Sequence, residues 1–386
     1  MNIKKNDILF YFAYILLYVS LFLGDVYDAG TNSSIIRGVR LLAYIFIIID
    51  FFNTGFSFKG WIRFGVVFLA TLIYGVITKD LYWCILVLFI CCAKKNNQKK
   101  ILYISMFILV SGILCVLFLC FVGLLPDVLT ARDDSIMDSF NRHSLGFYHS
   151  NVLPLIIFYL EAYYVFLKKE KIKYLTVIFF VFTSIILKVI CNSRNAFYLC
   201  LVLSLLVIIQ KRFGFGERIQ RILYRITKYS VFVMSLFSYL MMFLLLHGGI
   251  WNTIDSFFSG RFRLAIFKMR HVGLHLVNFM SNEDFTSDSV TYVNGRVLEN
   301  IVLDNGYIYV LLRYGVLFIL FYVFISFTLA KKSKENMYEL CVLLVVVVAN
   351  FIDNDLADYS FLPFILFAFS NIYISDTIRK IKKQVS

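Results

Sequence analysis

Apolar residues run through this chain in long blocks separated by short polar links. The blocks recur at lengths suited to helices that cross a bilayer, whose hydrocarbon core of about 30 Å needs roughly 20 helical residues. They predict about 12 spans, at roughly 8–24, 35–52, 61–78, 81–93, 101–123, 145–167, 174–190, 195–209, 229–246, 304–329, 338–352 and 359–377. Three of these, 81–93, 195–209 and 338–352, are short. The first lacks an Ala-x-Ala-like site and is followed by further spans, so it reads as a membrane helix rather than a cleaved leader. One polar segment, 247–303, interrupts the pattern between the ninth and tenth spans and predicts a single large external loop. The other links are short, so 1–386 reads as one integral membrane domain.

Composition agrees with the pattern. Apolar residues make up 60% of the chain, charged residues only 16%, and mean hydropathy is +0.80, which excludes an ordinary soluble domain. With only three prolines and no strand-like alternation, the expected class is an all-α polytopic bundle and not a β-barrel. The net charge of +14 suggests nucleic acid until its distribution is followed. Lys4, Lys5, Lys59 and the basic links 94–100, 168–173, 211–228, 331–334 and 379–383 fall on one side. Lys79, Arg132, Arg142, Arg194 and the arginines of the large loop fall on the other. Such a bias sets orientation. With an even number of spans it puts both termini in the cytoplasm, and it leaves no case for a nucleic-acid partner. The cysteines show no metal or disulfide spacing, and neither a phosphate-binding loop nor a dinucleotide fingerprint is present. No metal and no cofactor is therefore expected.

Unusual polar residues collect on the expected outer side. Arg142, His143, His149 and Asn151 enter the start of the sixth span, either as interhelical hydrogen-bonding groups or as the lining of an outward cavity. Arg194 sits in the short link 191–195, one turn beyond Lys188, where it either snorkels to lipid phosphate or clamps a substrate phosphate. From Ser259 to Met280 the spacing predicts an amphipathic interfacial helix, with Arg261, Lys268, His271, His275 and Asn278 within about a 100° arc. Asp304 is a helix N-cap or a carboxylate at the mouth of the bundle, and the two roles are compatible. The acidic turn 353–358 is a solvated loop or a sugar-binding edge.

Together these residues carry a resemblance. Arg142-His143-Ser144-Leu145-Gly146-Phe147, His149-Ser150-Asn151, Ser193-Arg194-Asn195-Ala196, Ser259-Gly260-Arg261 and Asp304-Asn305-Gly306-Tyr307 with Gly315 are quoted from the chain as it stands. With the topology, they resemble the bacterial polysaccharide repeat-unit polymerases (the Wzy, or O-antigen polymerase, family), which are related to the O-antigen ligases. The ligases carry His-Asn, nine residues, then Gly; here Asp304 replaces the His at the same spacing. The resemblance implies a GT-C-like, metal-independent, inverting glycosyltransferase. It would join undecaprenyl-diphosphate-linked oligosaccharide units, as donor and acceptor, into capsule, exopolysaccharide or O-antigen at the outer face, alongside a chain-length regulator and a flippase. It assigns Arg194 and Arg261 to the diphosphate, with Arg263, Arg270 or Arg40 as helpers. Asp304 would orient or deprotonate the acceptor hydroxyl, with His149 as competitor. Arg142, His143, Asn151, Asn305 and Tyr307 complete the expected substrate-binding set, and Trp251 is a further candidate to stack on sugar. Two other readings stay open: a ligase-like glycan transferase, and a flippase or transporter of lipid-linked saccharide, for which Asp50 and Glu161 within spans speak.

Overall fold

The structure is a computed structural model that describes residues 8–27, 34–54, 58–93, 96–130, 142–258, 260–281, 284–285, 291–293, 296–298, 303–354, 356 and 358–370. The basic termini, Lys94, Lys95, Arg132, Ser259, Asp355 and the last span beyond 370 lie outside the described residues.

The chain is nearly all helix. The helices are α1 (Ile8–Leu23), α2 (Ser34–Phe52), α3 (Phe58–Thr78), α4 (Tyr82–Ala93), α5 (Gln98–Phe121), α6 (Val152–Lys168), α7 (Tyr174–Cys191), α8 (Arg194–Phe213) and α9 (Glu217–Leu245). They continue with α10 (Ile250–Phe257), α11 (Arg261–Val272), α12 (Gly306–Arg313), α13 (Val316–Ser333), α14 (Met337–Ile352) and α15 (Leu362–Phe369). Two short antiparallel ribbons complete the fold: β1 (Leu129–Thr130) with β2 (Arg142–His143), and β3 (Thr291–Val293) with β4 (Arg296–Leu298). Among the described residues, six helices are long and apolar enough to cross a membrane: α5, α7, α8, α9, α13 and most of α3. Their outward faces carry bare hydrophobic side chains, such as Phe121 at 90% and Val189 at 77% exposure. In water a belt of this kind would drive aggregation; against lipid it costs nothing.

Inside the bundle, polar groups find one another, as the low dielectric requires. Tyr14 hydrogen bonds Ser105 at 2.6 Å, and the Tyr163 hydroxyl donates to the Ser360 carbonyl, tying α1 to α5 and α6 to the turn before α15. Glu161 accepts from the Ser204 hydroxyl at 2.6 Å between α6 and α8.

Contacts between loops sort the helix ends into two sets. At one end Tyr148 N–H donates to the Asp25 carbonyl, the Tyr359 hydroxyl donates to the Asp25 carboxylate, and Arg142 Nε donates to the Cys191 carbonyl. At the other, Asn336 donates to Glu170, Gln220 to the Lys334 carbonyl, and Lys169 pairs with Glu339. The candidate residues all belong to the first set, hereafter the site end.

Three expected elements differ. The segment 145–151 is not helical: Leu145 and Gly146 both take positive φ, +53° and +87°. That turn lets Phe147 pair with Val26 and Tyr27 N–H reach the Gly146 carbonyl, so α6 begins only at Val152. The helix expected over 259–280 stops at Val272, because Gly273 leaves it with φ +76°. Residues 275–278 instead run against the α12–α13 break, Val316 N–H donating to the His275 carbonyl and Asn278 N–H to the Tyr314 carbonyl. The single helix expected over 304–329 is therefore two, broken at Tyr314–Gly315.

Candidate functional site

Arg261 stands at the first position of α11. The chain enters that helix through Gly260 at φ +74°, and the buried Asp255 carboxylate accepts from Phe262 N–H at 3.0 Å, satisfying one of the free donors of the first turn. This cap fixes where the helix starts and hence where Arg261 projects. Its Nε lies 3.6 Å from the Asp304 carboxylate. Asp304 is free to make that pair because it is not the cap of α12. Asn305 is: its side-chain oxygen accepts from Tyr307 and Ile308 N–H, and its amide donates to Ser238 on α9.

A second carboxyl completes the cluster. Asp353, half-buried just past α14, feels Arg261, Asp304 and Arg142, and the Asn195 side chain is within hydrogen-bonding reach of it. Burial pushes its pKa up, and the Asp304 charge adds to that; Arg261, Asn195 and Arg142 pull it back, leaving it at about 7. Arg142 itself is held by the Asn151 side-chain oxygen at 2.5 Å and by the Cys191 carbonyl. His149 feels both Arg142 and Asp304. Burial and Arg142 lower its pKa, with Asp304 acting in the opposite sense. Its Nδ1 accepts from Asn151 N–H at 3.1 Å, which assigns the proton of the neutral ring to Nε2.

Five segments far apart in the chain thus meet: the turn 142–151, the start of α8, the start of α11, Asp304 and the end of α14. Two guanidiniums and two carboxyls with a neutral imidazole can bind a multiply charged anion and move one proton beside it.

Of the expected site residues, Arg142, His149, Asn151, Arg261 and Asp304 are drawn into this cluster or onto its edge. His143 is turned away onto Asp127 at 2.5 Å. Arg194 is exposed beside Asn195, and Lys188 lies over the Phe197 ring. Arg263 pairs with Asp255 at 3.7 Å, Arg270 is exposed, and Trp251 is half-exposed on α10. Asn305 and Tyr307, expected to bind substrate, are 3% and 1% exposed; the Tyr307 hydroxyl donates to the Val347 carbonyl. The stripe of cations expected along one helix face is absent as such. Lys268 is 1% exposed and donates to the Phe285 carbonyl, while His275 and Asn278 are off the helix. Arg40 lines a cavity between α1, α2 and α4. Asn195 and Asp353 were missing from the expected set, although the acidic turn and the Arg194-Asn195 link had both marked themselves in the sequence. No group of three or more His, Cys, Asp or Glu among the described residues is arranged to hold a metal ion.

Searches with the chain find no matching family model, no matching curated protein and no matching solved structure.

Proposed function

We propose that the chain is a GT-C-like glycosyltransferase of about 12 spans, with both termini in the cytoplasm and the site end at the outer face of a bacterial plasma membrane. It joins undecaprenyl-diphosphate-linked oligosaccharide units into a polysaccharide. The observation that carries this reading is the meeting of Arg142 and Arg261 with Asp304 and Asp353 at one end of an apolar helical bundle. A lipid-diphosphate substrate needs its anion in the headgroup region and its chain in the bilayer, and this arrangement offers both.

In the proposed step, the Asp353 carboxylate takes the proton of the acceptor hydroxyl. The oxygen attacks the anomeric carbon of the donor sugar from the face opposite the diphosphate. The carbon–oxygen bond to phosphate breaks, the electron pair leaves with the diphosphate, and the configuration inverts. Arg261 and Arg142 stabilise the charge that develops on the leaving group. A carboxyl with a pKa near 7 suits a general base at neutral pH. Asp304 fixes Arg261 and is the competing base. His149 is the weaker candidate, since its Nδ1 lone pair is already used and its Nε2 carries a proton. Arg194, at the rim, meets the incoming diphosphate.

The test is glycan length in cells that lack the gene and carry wild type, Arg261→Ala, Asp353→Asn or Arg194→Ala, with membrane levels of each checked. Wild type should restore a long ladder. Arg261→Ala and Asp353→Asn should leave single lipid-linked units, and Arg194→Ala an intermediate length. Lipid-linked units trapped on the cytoplasmic leaflet after deletion would show a transporter instead. Normal ladders with unattached polymer would show a ligase.

A further inference from the structure

Away from the Arg261 cluster, a cavity of about 260 Å³ opens between α1, α2 and α4 at the site end. Its floor is apolar, made by Leu17, Leu21, Ile85 and Phe89, while Arg40, Tyr44, Lys79, Asp80 and Tyr82 make its polar wall. The α3–α4 turn is built tightly at this wall. Asp80 N–H donates to the Gly75 carbonyl, a Cβ on Gly75 would come within 2.9 Å of the Asp80 carbonyl, and Lys79 takes the left-handed φ of +56°.

The charges of the wall do not balance. Asp80 is used: one carboxylate oxygen accepts from Tyr82 N–H at 3.0 Å, and the other faces the fully buried Arg313 at 3.9 Å. Among the described residues, no carboxylate comes within ion-pairing distance of Arg40 or Lys79. Arg40 Nε and the Tyr82 hydroxyl are, moreover, buried without a hydrogen-bond partner. Donors left unmet in a buried wall are costly unless something accepts from them. Arg40 and the exposed Lys79, neither paired to a carboxylate, stand with the two buried unmet donors above an apolar floor and specify the complement: a compact dianion attached to an apolar chain.

We propose that this cavity binds the phosphate headgroup of a membrane lipid, a phosphate monoester or diphosphate in preference to a singly charged diester. Arg40 and Lys79 take the charge, the Tyr82 hydroxyl and Arg40 Nε donate to phosphate oxygens, and the first carbons of the chain lie on the Leu17–Phe89 floor. The cavity shares no residue with the Arg261 cluster. The inference therefore stands on its own charge balance and does not need the transfer reaction.

The test uses the full chain in phosphatidylcholine nanodiscs and measures binding of undecaprenyl phosphate, phosphatidylglycerol and inorganic phosphate. Every protein compared (wild type at the cavity included) also carries Arg261→Ala, so that the Arg261 cluster does not contribute. Variants are Arg40→Gln with Lys79→Asn (asparagine tolerates the left-handed φ), and separately Leu21→Trp, which fills the floor and leaves the charges. Undecaprenyl phosphate should bind wild type roughly tenfold or more tighter than either other probe. That advantage should vanish in the double variant and fall in Leu21→Trp. Unchanged binding in both folded variants would overturn the site. Equal affinity for inorganic phosphate and the lipid, with Leu21→Trp silent, would overturn the lipid assignment. Equal binding of phosphatidylglycerol would overturn the preference for a dianion.

Discussion

Two carboxyls, one arginine pair and one imidazole lie together, yet their environments give them different chemistry. Asp304 has a direct ionic partner, Arg261 at 3.6 Å. Asp353 is set mainly by burial, which holds it at about 7. The proposed transfer activity should therefore rise with pH through about 7 as Asp353 loses its proton. Asp353→Asn should abolish that limb and lower the rate by roughly 10²–10⁴-fold, the usual worth of a general base. A retained limb in Asp353→Asn would move the base to Asp304. The same shift has a stability sign. Between the ordinary carboxylate pKa of about 3.9 and about 7, the folded chain holds more protons at this position than the unfolded one. Stability should fall as pH rises through that window, and the difference between wild type and Asp353→Asn in thermal unfolding should change there and be flat above it. At Arg261, lysine keeps charge but loses the planar fork. Arg261→Lys should cost more activity than stability, read as product formed against melting temperature in detergent.

At the scale of elements, the site depends on where helices start and stop. The start of α12 is fixed by Asn305, which caps the helix and reaches Ser238 on α9. Asn305→Ala should lower stability by about 1 kcal/mol or more, while Asn305→Asp should keep most of it; equal melting temperatures for all three would remove the cap from the argument. The end of α12 is fixed by Gly315. Its φ of +105° is open to glycine alone, and an added Cβ would lie 2.7 Å from the Leu276 carbonyl oxygen and 2.9 Å from Val277 Cα. Gly315→Ala should cost roughly 2 kcal/mol or more, seen as a lower detergent melting temperature, and should weaken activity without touching substrate. The spacing from Asp304-Asn305 to Gly315 in the sequence thus has a local cause: cap, two turns of helix, and a backbone break that receives the 275–278 segment.

For the whole molecule, the two sets of helix ends make a direct prediction. In a background without reactive native thiols, cysteine at Lys79 or Arg194 should react with a membrane-impermeant maleimide in intact cells. Cysteine at Glu170 or Glu335 should react only after permeabilisation. Labelling of both pairs from one side would break the proposed topology.

The apolar blocks made the helices and their places legible, because membrane helices satisfy their own backbone and need only length and hydrophobicity. Boundaries read less well where glycine and a positive φ overrode the pattern, at 145–151, Gly273 and Gly315. The residue types of the site were also legible: polar groups beside spans stand out, and Arg142, His149, Arg261 and Asp304 stood out for that reason. Their roles were not. Asn305 and Tyr307 belong to the helix they introduce, Lys268 is buried among its neighbours, and Asp353 joins the cluster from a turn that looked solvated. Periodicity and spacing act along one element at a time, so they find helices. Which carboxyl loses water, and which arginine it faces, depends on distances between elements far apart in the chain, and only the packed bundle sets those.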